Sequence, residues 1–368
     1  MNEPQALGIL REAFQHLALS NRDAALEVLD RAHTIYPAGA LLNHAERLVT
    51  RKPDANDNSA LAHILRGWNA YYEAHYAQAG DHFLKAWTHA SATREPWASW
   101  AALGAGKVAS DLGCWAPARN WLLASLMLAR RQQDLDRLAE AHGALAEVLL
   151  RAGYPREAFE YFTVDQRLLP VGSNASNRLK NYRAICLSHM GYASLAEPIL
   201  WASFHAEWEP NPEGAWYALG SLHAMALREQ DDALLNRLEK LKDRPRTEPP
   251  GMVAGFIALA FADRERRQGD LATAGTLLER AKEAFATKYP VEILWVRGLA
   301  ASLGGEPVPA EEWHALQSRQ PPLPPDNLPC SLLDEHARDL PLATDRPFAD
   351  LAEARGEAAW NLANRFFV

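Results

Sequence analysis

Apolar residues recur every three to four positions along most of the chain, which is the spacing of one buried face of an α-helix. Ala, Leu, Arg and Glu are frequent, Val and Ile are sparse, and no stretch alternates for long between apolar and polar residues. The frequent residues favour helices, and alternation is the pattern of a half-buried strand. The sequence therefore predicts an all-α protein.

The helical pattern is organised as a repeated pair of helices. In RAGYPREAFEYFTVDQRLLP, Gly153 marks a turn, Ala158 follows five residues later, and Phe162 lies one helical turn further on. Glycine permits the positive φ that ends a helix, alanine lets two antiparallel helices approach closely, and the larger residue fills space on the same face. The same order recurs at Gly113–Ala118–Leu122, Gly191–Ala196–Leu200 and Gly269–Ala274–Leu278, and without the glycine at Ala25–Leu29 and Ala79–Phe83.

The first helix of each pair carries a small residue at a matching place. In AWYALGSLHA, the residues Trp216, Leu219, Gly220 and His223 come close to the W-x2-L-G-x2-Y pattern. The small residues recur at intervals of 36 to 54 residues, at Ala13, Gly67, Gly106, Ala146, Ala184, Gly220 and Ala262. On these residues the chain resembles the tetratricopeptide repeat family, with about seven helix–turn–helix units across residues 3–290.

The resemblance implies a right-handed superhelical solenoid closed by capping helices. Most intervals exceed the family's usual repeat of about 34 residues, so we expect lengthened helices or loops. The sixth unit matches poorly in its second helix, REQDDALLNRLEKLK. We therefore expect a break in the array near residues 243–251.

The carboxyl-terminal part of the chain departs from the repeat. We predict a capping helix over residues 291–303, a proline-rich connector with a short helix over 304–330, and an amphipathic helical segment over 331–368. The PLPP run at 322–325 is either an extended connector or a polyproline II ligand for an SH3-like partner. The last helix either seals one end of the solenoid or pairs with a second copy as a homodimer.

Composition narrows the classes of partner. The net charge of -8 argues against a general nucleic-acid surface, which needs clustered Lys and Arg. The three cysteines are far apart and form no CxxC pair, so zinc sites and structural disulfides are not expected and a reducing compartment fits best. The amino terminus lacks the pattern of a secretory signal, and no apolar run reaches the length of a membrane span. We predict a cytoplasmic protein that binds neither nucleic acid nor membrane.

No catalytic or metal-binding motif is found in the sequence. LGAGK, ending at Lys107, lacks the spacing of a phosphate-binding loop. His63 and His75 are twelve residues apart on one predicted helix, which separates them by about 18 Å, and His82 falls on the next helix. We therefore expect no metal, no cofactor and no enzymatic activity.

Candidate binding residues come from the family resemblance, because first helices of such repeats line the concave surface. An aromatic group towards the amino-terminal half comprises Trp68, Tyr71, Tyr72 and Trp100. A polar, mostly basic group at the centre comprises Lys107, Arg151, Arg178 and Asn181, and Tyr217 is a further candidate. The alternatives are ordinary packing between repeats for the aromatic group, and solvation or pairing with Glu140 and Glu147 for the two arginines.

These observations predict a non-enzymatic scaffold or adaptor whose concave groove binds a peptide or a partner protein. Arginine would orient a carboxylate of the partner, and the aromatic group would supply apolar contact. Two other functions stay open. One is a regulator that responds to a small signal molecule or peptide, and the other is an accessory subunit that docks an enzyme.

Overall fold

The computed structural model describes residues 27–28, 58–93, 97–168, 174–209, 211–241, 248–285, 292–304, 322 and 360. In these ranges the chain forms thirteen bounded α-helices and no strand, which confirms the predicted all-α class. The helices are α1 Ala60–Tyr72, α2 Tyr76–Thr93, α3 Ala98–Asp111, α4 Trp115–Gln132, α5 Leu135–Arg151, α6 Pro155–Leu168, α7 Asn174–His189, α8 Ala193–Glu207, α9 Pro212–Glu229, α10 Asp232–Glu239, α11 Gly251–Gln268, α12 Leu271–Phe285 and α13 Ile293–Gly304.

The chain divides into two compact units. The first unit comprises residues 1–144 and 319–340, and the second comprises 145–318 and 341–368. Helices adjacent in sequence pack against each other in pairs such as α1–α2, α3–α4, α7–α8 and α11–α12. Alternate helices also touch, in the pairs α1–α3, α7–α9 and α11–α13. Each unit is thus built from helical hairpins packed side by side.

Left-handed residues end the first helix of each hairpin. Glycine occupies this place at Gly113, Gly153, Gly191 and Gly269, with φ between 76° and 89°, which confirms the positive φ predicted from the sequence. The amide of Cys114 then donates to the Ala109 carbonyl oxygen at 2.8 Å, which closes the end of α3. Ala74 and Gln230 take the same conformation after α1 and α9, and Gln133 takes it after α4, which is a second helix.

The small residues of the first helices make room for large side chains of the second. A Cβ built on Gly67 of α1 would lie 2.7 Å from the Phe83 ring, and one built on Gly104 of α3 would lie 2.3 Å from the same ring. Phe83 of α2 is fully buried between the two glycines, on a face that also buries Ala79 completely. Gly255 makes the same kind of space for Phe285 in the second unit.

This packing gives a first testable result. Gly104→Ala is expected to destabilise the first unit by about 1–3 kcal/mol, because the new methyl group overlaps the Phe83 ring. The loss should appear in urea unfolding followed by circular dichroism, although alanine favours a helix over glycine by about 1 kcal/mol. The matched control is Gly275→Ala on α12, where the described part of the chain places no atom of another helix within 4 Å of the new Cβ. That variant should be as stable as the original chain or more stable, and equal behaviour of the two variants would contradict the packing argument.

Helix α10 is short. It has eight residues and buries three leucines, Leu234, Leu235 and Leu238, which belong to the apolar core of the second unit. Arg267 of α11 donates both Nη atoms to the Asp232 carboxylate, at 2.7 and 3.1 Å, and Arg264 pairs with Glu239. The buried leucines attach the helix to the core, and the ion pairs add contacts with α11. Most of the predicted break at 243–251 lies outside the described residues.

The core of the second unit includes one residue from the last predicted segment. Trp360 is helical, fully buried, and belongs to the apolar cluster that contains Phe285, Trp295 and Leu299. The rest of the predicted segment 331–368 and the short helix of the connector lie outside the described residues. Helix α13 occupies the predicted position of a capping helix.

Candidate functional site

The structure places three of the four predicted aromatic residues together in the first unit. The Trp68 ring is 2% exposed and meets the Tyr71 ring edge-on, with ring centroids 5.5 Å apart. The Tyr72 ring stacks against Trp68 at 6.1 Å, and both tyrosines keep part of their surface exposed. Trp68 is therefore a residue of the core between the helices, while the two tyrosines also reach the surface.

Tyr71 is held in place by a carboxylate. Its hydroxyl donates to Asp111 Oδ2 at 2.6 Å, which links α1 to the end of α3. Burial, followed by the negative charge of Asp111, raises the pKa of Tyr71 well above its ordinary value of 10. Tyr71 is therefore a neutral hydrogen-bond donor at physiological pH. Contact of this aromatic group with a ligand stays a prediction.

Trp100, the fourth aromatic residue, supports a buried arginine. It is 3% exposed, and the Arg137 guanidinium lies 4.8 Å above its ring. Arg137 donates from Nη2 to Asp134 Oδ2 at 2.6 Å and from Nη1 to Gln132 Oε1 at 2.9 Å and to Ser99 Oγ. Burial lowers the pKa of Arg137 to about 10, so the group is still cationic at neutral pH. The sequence analysis missed this network, whose one local signal is the i, i+3 spacing of an acid and an arginine.

The predicted polar group is divided between the two units. Lys107 is half-buried on α3 of the first unit, whereas Arg151, Arg178 and Asn181 belong to the second unit. Arg151 donates from Nη2 to Glu292 Oε1 at 3.1 Å, and Glu292 is buried. This partner lies 141 residues further along the chain and was not predicted.

Arg151 and Arg178 lie near a half-buried tyrosine–carboxylate pair. The Tyr182 hydroxyl of α7 donates to Glu147 Oε1 of α5, and the Tyr182 ring stacks on Phe162 with centroids 4.9 Å apart. Burial and the charge of Glu147 raise the pKa of Tyr182, and the two arginines act in the opposite direction. Arg178 is exposed, one helical turn before Tyr182, so its guanidinium is the accessible cation at this place.

Asn181 differs from its neighbours because one of its polar atoms is unsatisfied. The side chain is 5% exposed, and its Oδ1 atom has no hydrogen-bond partner among the described residues. A buried acceptor left in this state costs about 1–3 kcal/mol. On the neighbouring helix α9, Tyr217 is 39% exposed, and α7 and α9 touch each other. The first helices of the second unit thus present a buried acceptor, an exposed cation and an exposed aromatic ring.

The histidines of the first unit form a pair that the sequence analysis did not predict. His63 and His75 were expected on one helix, which was wrong because α1 ends at Tyr72 and Ala74 turns the chain with φ 59°. Instead, His63 Nδ1 lies 3.2 Å from His82 Nδ1, and the His89 ring stacks 6.1 Å from His63. Burial and neighbouring positive groups lower the pKa of His63 to about 4, so it is neutral at physiological pH. No group of three metal-ligating side chains is present in the described part of the chain.

A pair of tryptophans that was not predicted from the sequence lies on the second helices of the first unit. Trp121 of α4 is fully buried, and its ring meets Trp87 of α2 edge-on at 5.2 Å. The Trp121 indole Nε1–H donates to the main-chain oxygen of Pro322 at 2.6 Å. The only sequence signal was the presence of tryptophan at two second-helix positions, which by itself indicates packing.

Comparison of the chain with family models, curated proteins and solved structures gives no match. Among the helices that the structure describes, none is both long enough and apolar enough to span a membrane.

Proposed function

We propose that the chain is a non-catalytic helical-repeat adaptor of the tetratricopeptide type, which binds a peptide segment of a protein partner. The proposed site is the first-helix face of the second unit, formed by the end of α5 and by α7 and α9. The unsatisfied Oδ1 atom of Asn181 is the observation that carries this proposal.

A peptide main chain has the group that Asn181 lacks. An extended segment offers N–H groups at regular spacing, and one such donor would satisfy the buried Oδ1 atom. Satisfying a buried acceptor recovers a free-energy cost that the unbound protein bears, so it favours the bound state. A side-chain amide that recognises the main chain would also tolerate many peptide sequences.

Charge would then select among peptides. Arg151 is already paired with buried Glu292, so its charge is largely neutralised within the chain. Arg178 is exposed and lies three residues before Asn181, on an adjoining part of the same helix. An arginine can donate to both oxygens of a carboxylate through its fork of N–H groups. The preferred ligand is therefore a peptide with one carboxylate close to the main-chain contact, and Tyr217 would cover an apolar side chain.

Peptide display on the full-length chain tests the proposal. Peptides selected on the original chain should lose about tenfold to a hundredfold in affinity for Arg178→Ala, because a hydrogen bond to a charged group contributes about 1.5–3 kcal/mol. The matched control is Arg280→Ala, which removes an exposed arginine from the second helix α12. Binding measured by isothermal titration calorimetry that is equal for the two variants would contradict the proposed site.

Asn181→Leu provides a test in which stability and binding change in opposite directions. Removing the unsatisfied acceptor should raise the free energy of unfolding of the second unit by about 1 kcal/mol, since the cost of burying it disappears. Peptide affinity should fall in the same variant. If Asn181 has only a structural role, both quantities should change together or affinity should stay constant.

A further inference from the structure

A proline of the connector is held by the second helices of the first unit. The main-chain oxygen of Pro322 accepts the Trp121 indole N–H at 2.6 Å, and both residues are buried. A Cβ built on Gly80 of α2 would lie 3.4 Å from Pro322 Cδ and 3.7 Å from its Cβ. The proline ring thus lies against α2 at Gly80, and the carbonyl of the same proline meets Trp121, whose ring contacts Trp87.

The indole contact is of a kind by which proteins recognise polyproline II segments. A polyproline II helix has no internal hydrogen bonds, so its carbonyl oxygens accept from outside donors, and its rings fit against flat aromatic surfaces. Here an indole N–H meets a proline carbonyl, and the ring of the same proline meets the place left open at Gly80. Pro322 belongs to the run PPLPP at residues 321–325, which we call the proline segment.

Pro322 is far in sequence from the helices that it contacts. Residues 319–340 belong to the first unit, whereas the chain before and after them belongs to the second. The Trp121–Pro322 bond joins residues 201 positions apart. The contacts involve a main-chain oxygen and a proline ring, neither of which is unique to this segment, so a proline-rich peptide from another chain can supply the same groups.

We propose that Gly80 and Trp121, with Trp87 packed on Trp121, form a recognition site for proline-rich peptides, which the protein's own Pro322 occupies and which a proline-rich segment of another protein can take over. This site is in the first unit and is independent of the peptide face proposed for the second. Pro322 acts as an intramolecular competitor. With an effective concentration of about 1 mM, it weakens the binding of an external peptide of about 100 µM affinity roughly tenfold.

The test uses the full-length variant Pro321→Ser/Pro322→Gly and a synthetic peptide of residues 318–328, SRQPPLPPDNL. The readout is the indole N–H resonance of Trp121 in heteronuclear NMR spectra, assigned with Trp121→Phe. The resonance should shift in the variant, because without the proline ring the main-chain oxygen is no longer held against the indole. The added peptide should return the resonance towards its original position. The original chain should bind the peptide about tenfold more weakly than the variant does.

Two controls distinguish recognition of proline from unspecific contact. A peptide in which the prolines corresponding to Pro321 and Pro322 are replaced by alanine should bind much more weakly, since it lacks the ring that fits at Gly80. Gly80→Leu in the variant should abolish peptide binding, because the new side chain fills the place of the ring, while leucine favours the helix. Equal binding of the two peptides, or unchanged binding in the Gly80→Leu chain, would overturn the proposal.

A second measurement covers the case in which the doubly substituted chain does not fold. Gly80→Leu in the otherwise original chain should displace Pro322 and shift the Trp121 indole resonance, with the helical circular dichroism unchanged. A Trp121 resonance that stays in place would show that the proline ring does not occupy this site, and the proposal would fail. Neither result depends on the peptide face of the second unit.

Discussion

Trp360→Ala should lower the free energy of unfolding of the second unit by about 3–5 kcal/mol, which is the usual cost of truncating a fully buried large aromatic side chain. Trp360 is 0% exposed and lies in the same apolar cluster as Phe285, Val296 and Leu299. Truncation loses the transfer free energy of the indole and leaves a cavity that the surrounding helices can fill only in part. Trp360 would then be a central part of this core.

Hydrogen exchange followed by mass spectrometry checks this expectation by region. Amide exchange in α11, α12 and α13 should become faster in Trp360→Ala. The matched control is Trp360→Phe, which keeps an aromatic ring and removes an indole Nε1–H that has no hydrogen-bond partner among the described residues. That variant should lose no more than about 1.5 kcal/mol. Unchanged exchange in the three helices of Trp360→Ala would contradict the assignment of Trp360 to this core.

Asp134→Asn should destabilise the first unit by a similar amount, about 3–5 kcal/mol, because it leaves the Arg137 cation buried without its carboxylate. The Arg137 side chain is 0% exposed, and its Nη2 lies 2.6 Å from Asp134 Oδ2. Asp134 also accepts the Arg137 main-chain amide at 3.0 Å, at the start of α5. Asparagine can keep this cap contact, so the variant isolates the loss of charge.

A double-mutant cycle with Arg137→Met completes the test. Replacing both members of a buried ion pair with uncharged groups is often close to neutral, so the Asp134→Asn/Arg137→Met chain should recover most of the stability lost in Asp134→Asn. Urea unfolding of the four chains gives the coupling free energy. Additive losses would show that the two charges do not stabilise each other, and would contradict a paired role for the buried arginine.

The two proposed sites use different chemistry for the same class of ligand. The face of the second unit offers an unsatisfied amide oxygen and an exposed arginine, which suits an extended peptide with a carboxylate. The site of the first unit offers an indole N–H and a gap at Gly80, which suits proline. Because Pro322 of the same chain lies in the site of the first unit, an external partner must compete with it there. The fraction of molecules in which Pro322 occupies this site would then regulate access.

Much of the fold was predictable because its determinants are local. A glycine in the left-handed region at position 153 or 269 ends a helix through its own backbone, and an alanine five residues later allows the next helix to approach closely. Ala158 and Phe162 are both fully buried, as their spacing on one helical face predicts. The burial of Trp68 was less predictable, because the face that a tryptophan presents depends on which helices surround it.

The candidate sites depended on contacts between distant residues. Arg151 meets Glu292, and Trp121 meets Pro322, across 141 and 201 residues. The spacing of residues along one helix specifies that helix and its nearest neighbour, and this was sufficient for the helical hairpins, their turns and their buried faces. Which acid neutralises an arginine, or which carbonyl meets an indole, follows from the course of the whole chain, because such partners are brought together by packing and leave no periodic pattern in the sequence.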